Sequence, residues 1–330
     1  MRTIAFFNNK GGVGKTTLVY HVAWMCSDLG RRVLAVDLDP QANLTSMFLD
    51  DDELEAVWPE DTPHASVHRS ILPIVDGVGD IEPAPCKRLS ANLALLPGDL
   101  ELSQFEDKLS DSWPRCLDGD KAAFRATTAL YRIVHQAASE TASEIVLIDV
   151  GPNLGAINRA ALIAAEHVVF PLSPSMFSLQ GLKNLGPTLR AWRHQWRQRI
   201  DNRPADMGIP LPSGRMAPAG YVVMQHVERK NRPVKAYRNW VNQIPAVYGH
   251  YVLDMPGPTP VGDDDPNRLG LIKNCQSLMP LAEDARKPMF KLLPADGAMG
   301  AHAQAVQKCY MDFKQLAGSI MAKCGVDVPG

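Results

Sequence analysis

The chain has little to offer a metal or disulfide framework. Its six cysteines, at 26, 86, 116, 275, 309 and 324, are scattered, and no two form a CxxC pair. That spacing disfavours a structural zinc site or a disulfide scaffold and fits a reducing cytosol. Long hydrophobic runs are also lacking. No stretch approaches the roughly 18 apolar residues a membrane span needs. The N-terminal apolar run, residues 3–7, leads straight into a glycine-rich turn and is too short for a secretory leader. The expectation is a cytoplasmic protein with no transmembrane segment. Charge of one sign is absent too: 34 Lys and Arg stand against 36 Asp and Glu, a formal net charge of −2. Whole-chain charge therefore argues neither for nor against nucleic acid, and local distribution has to decide. No internal repeat is visible. With 45% hydrophobic and 21% charged residues over 330 positions, the composition is that of a globular protein large enough for one big α/β domain or two smaller ones.

What is present begins at Asn9-Lys10-Gly11-Gly12-Val13-Gly14-Lys15-Thr16-Thr17. The stretch follows an apolar run and precedes a helical pattern, which is the strand–turn–helix setting of a phosphate-cradling loop. Glycines let the backbone approach an anion closely, and the N–H groups of the turn and of the following helix N-terminus then hold phosphates. Gly11, Gly12, Val13, Gly14, Lys15, Thr16 and Thr17 are the candidate nucleotide-binding residues. Lys15 is positioned to reach β- and γ-phosphates, and the Thr16 hydroxyl to take a place on Mg²⁺. A glycine-rich turn with two solvated lysines is the bland alternative, and it leaves the GK[ST] after a strand unexplained. The standard pattern asks for Gly where this chain has Asn9, and it has no counterpart of Lys10.

Behind the loop, Leu18, Val19, Val22, Ala23, Cys26 and Leu29 form one stripe at helical spacing closed by Gly30, so residues 16–29 read as a helix. Val33-Leu34-Ala35-Val36 is apolar on both faces, as in a parallel sheet covered by helices on both sides. It runs into Asp37-Leu38-Asp39-Pro40-Gln41-Ala42-Asn43. Carboxylates at such a strand's C-terminal edge stand where open α/β sheets bind ligands; alone, the same residues make an ordinary polar turn. Residues 50–92 open acidic and are dotted with prolines, which predicts loops with a few short helices. A strand is predicted at 93–96, a helix at 100–109 and one long helix at 122–139. Glu144-Ile145-Val146-Leu147-Ile148-Asp149 reads as a buried strand that fixes a carboxylate against the phosphate loop, where it can hold a Mg²⁺ water. A helix at 156–165, strands at 168–172, 219–224 and 269–274, an irregular insertion at 255–268 and a terminal helix at 301–323 complete the βα rhythm.

The form N-x-KGGVGKTT, together with DLDPQAN, resembles the ParA/MinD family of deviant phosphate-loop ATPases, nearest to the ParA/Soj partition ATPases. Asp149-Val150-Gly151-Pro152-Asn153-Leu154-Gly155 is similar to the family's D-x-P-P-S-L-G turn, with Gly151 and Asn153 replacing Pro and Ser. Ser178-Leu179-Gln180-Gly181-Leu182 resembles a further family segment. The resemblance implies a single P-loop NTPase domain over residues 1–330, a doubly wound, mainly parallel sheet flanked by helices, with divergent segments at about 50–92 and 255–268. It implies ATP and Mg²⁺ as cofactors and hydrolysis of ATP to ADP and phosphate. Lys10 would cross to the γ-phosphate held by a second subunit of a homodimer. Asp39 would orient the attacking water, and Asp37 would support a metal shell formed with Thr16 and Asp149. The implied biology is plasmid or chromosome partition, with a ParB-like or other protein that activates the ATPase. The alternatives are another cargo or effector complex, membrane-associated positioning of the MinD type, and a metabolic enzyme on the same scaffold, such as an iron–sulfur reductase, for which cluster cysteines are lacking near the Asp149 turn, or an ATP-dependent ligase.

Between Arg190 and Arg238, eleven Lys or Arg face three acids. Arg190, Arg193 and Arg197 recur at helical spacing and share a face that, with Arg229, Lys230 and Arg232, would neutralise DNA phosphates without reading sequence. Family members bind DNA in this non-specific way, which would place the protein on the nucleoid. The plainer reading is a solvated basic face or pairing with the acidic 50–61 run. In the terminal helix, Val306, Cys309, Tyr310, Phe313, Leu316, Ala317, Ile320 and Met321 make one apolar stripe. Its opposite face lacks the basic character of a membrane-lying helix, so packing on the sheet is expected.

Overall fold

The computed structural model describes residues 1–224, 234–255, 265–272 and 277–327, with only the backbone described for 234–238. Its eight strands are β1 (Arg2–Phe6), β2 (Val33–Leu38), β3 (Lys87–Ser90), β4 (Leu93–Leu96), β5 (Ile145–Val150), β6 (His167–Leu172), β7 (Ala217–Met224) and β8 (Arg268–Ile272). They form one sheet in the order β3-β4-β2-β5-β1-β6-β7-β8. Every pairing is parallel except β3 with β4. The helices are α1 (Lys15–Asp28), α2 (Asn43–Phe48), α3 (Asp51–Val57), α4 (Val67–Val75), α5 (Phe105–Arg115), α6 (Lys121–Thr127), α7 (Ala129–Glu140), α8 (Ala156–Ala164), α9 (Met176–Asp201), α10 (Val234–Val247), α11 (Met279–Ala285) and α12 (Ala301–Lys323).

Apart from the polar edge strand β3, the strands are largely apolar, and their alternation divides the core in two. Ile4, Phe6, Ala35, Leu147 and Val169 point toward α1, α2, α11 and α12. Ala5, Phe7, Val36, Ile148 and Phe170 point toward the layer of α4 to α9. This is a doubly wound P-loop fold. In such a sheet the C-terminal edge is the ligand side, and register brings the acids together there. Asp149 of β5 pairs with Asp37 of β2 on one side and with Phe6, two residues before the loop, on the other.

Several predicted elements take a different form. The helix expected at 122–139 is two helices, α6 and α7, meeting at Thr128. The buried Thr128 Oγ1 donates to the carbonyl of Phe124 at 2.7 Å, the back-bonding that bends helices at Thr. The helix expected at 100–109 is a 3₁₀ turn over Leu100–Gln104 followed by α5. Residues 50–92 hold short helices as expected, α3 entered through an Asp50–Glu53 capping box, and also the antiparallel edge strand β3. The acidic run pairs with Lys87 and Arg286. Of the 255–268 insertion, residues 256–264 lie outside the described residues. The terminal helix lies on the core: Cys309, Phe313, Leu316, Ala317, Ile320 and Met321 of α12 are buried against β8 and α1. Among the described residues no helix is long and apolar enough to cross a membrane.

Candidate functional site

The loop between β1 and α1 opens into a cavity of about 550 Å³ lined by Lys10 through Thr17, with Asp39, Gln41, Asn43, Ser46, Met47 and Pro152 opposite. Gly12 and Gly14 take φ values of 71° and 81°, a left-handed backbone that side chains resist. Gly14 is also the N-cap of α1, with no side chain capping the helix. The first-turn donors of α1 are therefore left for an anion.

Four side chains meet at the foot of the cavity. Lys15, with 7% of its side chain exposed, donates to Asp149 Oδ1 at 2.7 Å and stands 3.9 Å from Asp39 Oδ2. Thr16 Oγ1 donates to Asp149 Oδ2 at 2.7 Å. Burial pushes the Asp149 carboxyl above its ordinary range, and the Lys15 charge pulls the other way. Both oxygens of Asp149 are thus met by residues of the loop, a lysine and a hydroxyl that a phosphate and its divalent cation would engage. This donor set fits a Mg²⁺–nucleotide.

Asp37 has a different occupation. It is fully buried, and its Oδ2 accepts from both the backbone N–H and the hydroxyl of Thr45, each at 2.8 Å. Thr45 Oγ1 in turn accepts the Gly98 N–H at 2.8 Å. A Cβ on Gly98 would stand 2.8 Å from the Asp37 carboxyl carbon, so only glycine fits. Burial, and next the charge of Asp149, raise Asp37 to about 7. Asp37 fastens α2 to the sheet and is not among the residues lining the cavity. Between Asp39 and α2, the buried Ala42 takes a left-handed backbone, φ 49°, at a cost of roughly 1 kcal/mol. That bend aims Asn43 and Ser46 at the cavity.

The turn after Asp149, with Gly151 and Asn153 where the family has proline and serine, is held by side chains from two helices. Asn158 of α8, 1% exposed, donates to the carbonyls of Gly151 and Asn153, both at 2.8 Å, and accepts from the Gly151 N–H at 3.0 Å. Glu106 of α5 accepts from the backbone N–H groups of Ala156 and Ile157, the latter at 2.9 Å, so a carboxylate from another helix caps α8. Pro152 packs toward Gly11. Sequence reasoning missed Thr45, Asn158 and Glu106. DLDPQAN pointed near the first; nothing local announces the others.

Lys10 sits on the cavity rim, half-exposed. Its backbone N–H donates to Asn8 Oδ1 at 3.0 Å, and its ammonium lies 5.7 Å from the ring centre of Phe177 at the start of α9. Met176 and Phe177 are 57% and 68% exposed. The arginine face is partly spent inside the chain. Arg190 bonds the Tyr251 carbonyl and lies 3.6 Å from Asp254, and Arg193 donates to the Met216 carbonyl at 2.9 Å. Burial, then the charges of Arg190 and Arg197, lower the Arg193 pKa. Arg193, Arg197 and Arg215 line a separate cleft of about 330 Å³. Arg229, Lys230 and Arg232 lie outside the described residues.

A glycine loop between a central strand and an uncapped helix, facing an acid at the end of the next strand, defines a phosphate-loop nucleotide-binding protein. Comparison narrows the class. The AAA domain family matches residues 1–202, and the chain belongs to it, as a member of the ParA/MinD type of ATPase. A putative replication protein A of Rhizobium rhizogenes is 33% identical over 184 residues, 55% of this chain and 42% of that protein. The sporulation initiation inhibitor protein Soj of Bacillus subtilis is 29% identical over 189 residues, 57% of this chain and 65% of Soj. The chain thus spans about half the length of the curated relatives it matches. Among solved structures, protein DIP2308 of Corynebacterium diphtheriae superposes with a TM-score of 0.69 at 24% identity, covering 98% of this chain and 99% of that one. An ATP complex of Cyanothece McdA does so with a TM-score of 0.64 at 16% identity, covering 99% and 97%. Identities this low speak for the fold alone.

Proposed function

We propose that the whole chain is one ATPase domain that works as an ATP-dependent dimerisation switch and hydrolyses ATP to ADP and phosphate. The observation that carries this is the division of labour between two lysines. Lys15 is buried on Asp149, whereas Lys10 stands at the mouth of the same cavity with no ion pair to a described residue. Lys15 and the loop N–H groups hold the triphosphate, and Thr16 and Asp149 hold its Mg²⁺. A bound Mg²⁺ would supply positive charge against the phosphates. With phosphate on Lys15, Asp149 would be left to help hold the cation. Asp39, at the cavity wall, orients the attacking water, and Asp37 supports the site from behind through Thr45. Lys10 reaches the γ-phosphate of a second copy, so ATP favours the dimer by contacts that only the dimer makes, and hydrolysis removes them.

In this reading the switch serves plasmid or chromosome partition. A ParB-like or other activating protein stimulates hydrolysis, and non-specific DNA contact through Arg197, Arg215 and the basic 229–238 segment holds the dimer on the nucleoid. The resemblance of the phosphate loop and of DLDPQAN to the ParA/Soj partition ATPases supports that role. A second reading keeps the switch but gives it another cargo, because the family match stops at residue 202 and the rest has its own sequence. A membrane-lying terminal helix is disfavoured, since the apolar side of α12 is already covered.

The test is light scattering of the chain with ATP or ADP, each with and without DNA, on the native protein and on Lys10→Ala. The native chain is expected to dimerise with ATP and to bind DNA only then. Lys10→Ala is expected to bind nucleotide normally and stay monomeric. An ATP-dependent dimer in that variant would remove Lys10 from the switch.

A further inference from the structure

Away from the nucleotide cavity, the acidic, proline-dotted stretch and the turn after β4 bring four metal-ligating side chains together. Asp99 is 1% exposed, and its Oδ2 accepts from His64 Nδ1 at 2.8 Å and from the Ser66 hydroxyl. Glu101 Oε2 stands 3.9 Å from the same His64 nitrogen and 3.2 Å from Nδ1 of His68. One ligand atom from each of His64, Asp99 and Glu101 lies within 4.8 Å of the others. His68 is 5% exposed, faces Glu101, and its other ring nitrogen is buried with no hydrogen-bond partner among the described residues.

We propose that His64, Asp99 and Glu101 bind a divalent transition-metal ion of the Zn²⁺ kind, separate from the Mg²⁺ of the nucleotide. The spacing fits. Bonds of about 2.0–2.1 Å in a tetrahedron put neighbouring ligand atoms about 3.3 Å apart, and the His64 separations of 2.8 and 3.9 Å bracket that value. The charge fits as well: two carboxylates cancel the two positive charges of the ion, and neutral imidazole supplies nitrogen. One imidazole and two carboxylates are a donor set for Zn²⁺ rather than for Mg²⁺ or Ca²⁺, which ask for six or more oxygens. Binding moves the His64 proton from Nδ1 to Nε2, leaving Nδ1 free as the ligand. His68 holds Glu101 from behind, the kind of outer partner that orients a ligand carboxylate. Water completes the four positions.

Such an ion would staple the loop before α4 to the turn at Gly98, whose carbonyl accepts from Trp58 Nε1 at 3.1 Å and whose N–H is held by Thr45. The proposal does not depend on the ATPase reading. It is tested by calorimetric titration of Zn²⁺ into the untagged full chain with saturating Mg²⁺–ADP present, and by the visible absorption of Co²⁺ bound in its place. One equivalent is expected to bind with a tetrahedral Co²⁺ spectrum, and to raise the melting temperature. His64→Ala and Glu101→Gln are each expected to weaken binding by roughly tenfold or more, while Asp149→Asn leaves it unchanged. Glu101 is half-exposed, so Glu101→Gln decides the matter if His64→Ala does not fold. No binding by the native chain, or native affinity in Glu101→Gln, overturns the site.

Discussion

His21 ties the phosphate-loop helix to the far end of the chain, and its replacement has a calculable signature. In α1, fully enclosed, its Nδ1 donates to the Thr17 carbonyl at 2.7 Å while Nε2 accepts the Met289 N–H at 3.1 Å. The ring stacks on Phe313 of α12 with centroids 4.9 Å apart. One nitrogen donates and the other accepts, so the ring is neutral. Burial lowers its pKa from 6.5 to about 4. The unfolded chain therefore takes up this proton first as pH falls. The stability contributed by neutral His21 is complete above about 6.5, and is lost as pH drops toward about 4. Each tenfold loss of proton affinity is worth about 1.4 kcal/mol, so a weakening of this size amounts to about 3 kcal/mol, of which about 2 is spent between roughly pH 7.5 and pH 5. His21→Leu abolishes the titration and leaves the Met289 N–H unpaired, a loss of about 2 kcal/mol near neutrality. Urea unfolding of both chains should show the native protein ahead by about that amount at about pH 7.5, with the gap nearly closed at about pH 5. Titrations elsewhere cancel in the difference. A gap of constant size across that range would refute a neutral, buried His21.

Three further outcomes are expected. Thr45→Val strips a hydrogen bond from the buried Asp37 and orphans the Gly98 N–H; urea unfolding should register a loss of about 3 kcal/mol, and a loss below about 1 kcal/mol would contradict the clamp. Gly186→Ala would place a Cβ 1.9 Å from the Tyr251 carbonyl oxygen; because backbone stands on both sides, a destabilisation of about 3 kcal/mol or more is expected, read as a lowered melting temperature, and a native melt would mean α9 and the 248–252 turn can part freely. Asp39→Ala is expected to bind ATP and persist as a dimer while phosphate release stops; unimpaired turnover would take Asp39 out of the mechanism.

The core strands were legible because they are runs of apolar residues, whereas the polar edge strand β3, Lys87–Ser90, was not; the loop was legible because glycine, lysine and threonine sit where only a strand-to-helix turn makes sense of them. Asp149 was legible from the run before it. What local pattern could not show are contacts between distant segments. Glu106 reads as one more surface acid of α5, yet it caps α8, fifty positions on. Asn158 meets the turn only once α8 folds back over Gly151. Arg190 and Arg193 looked like a shared basic face, because helical spacing reports direction and not the carbonyls waiting at Tyr251 and Met216. The break at Thr128 failed for a related reason: a hydrophobic stripe continues through a bend as readily as through a straight helix.

The stacking of Phe313 on His21 changes what a genetic screen would find. None of the residues of α12 lines the nucleotide cavity, and that helix lies beyond the segment shared with the family. Selection for chains that no longer hold nucleotide should nevertheless collect lesions along the tail, as slackening there is passed through one imidazole to the carbonyl of Thr17. Drift in the final third of the polypeptide is thereby policed by a loop at its very start.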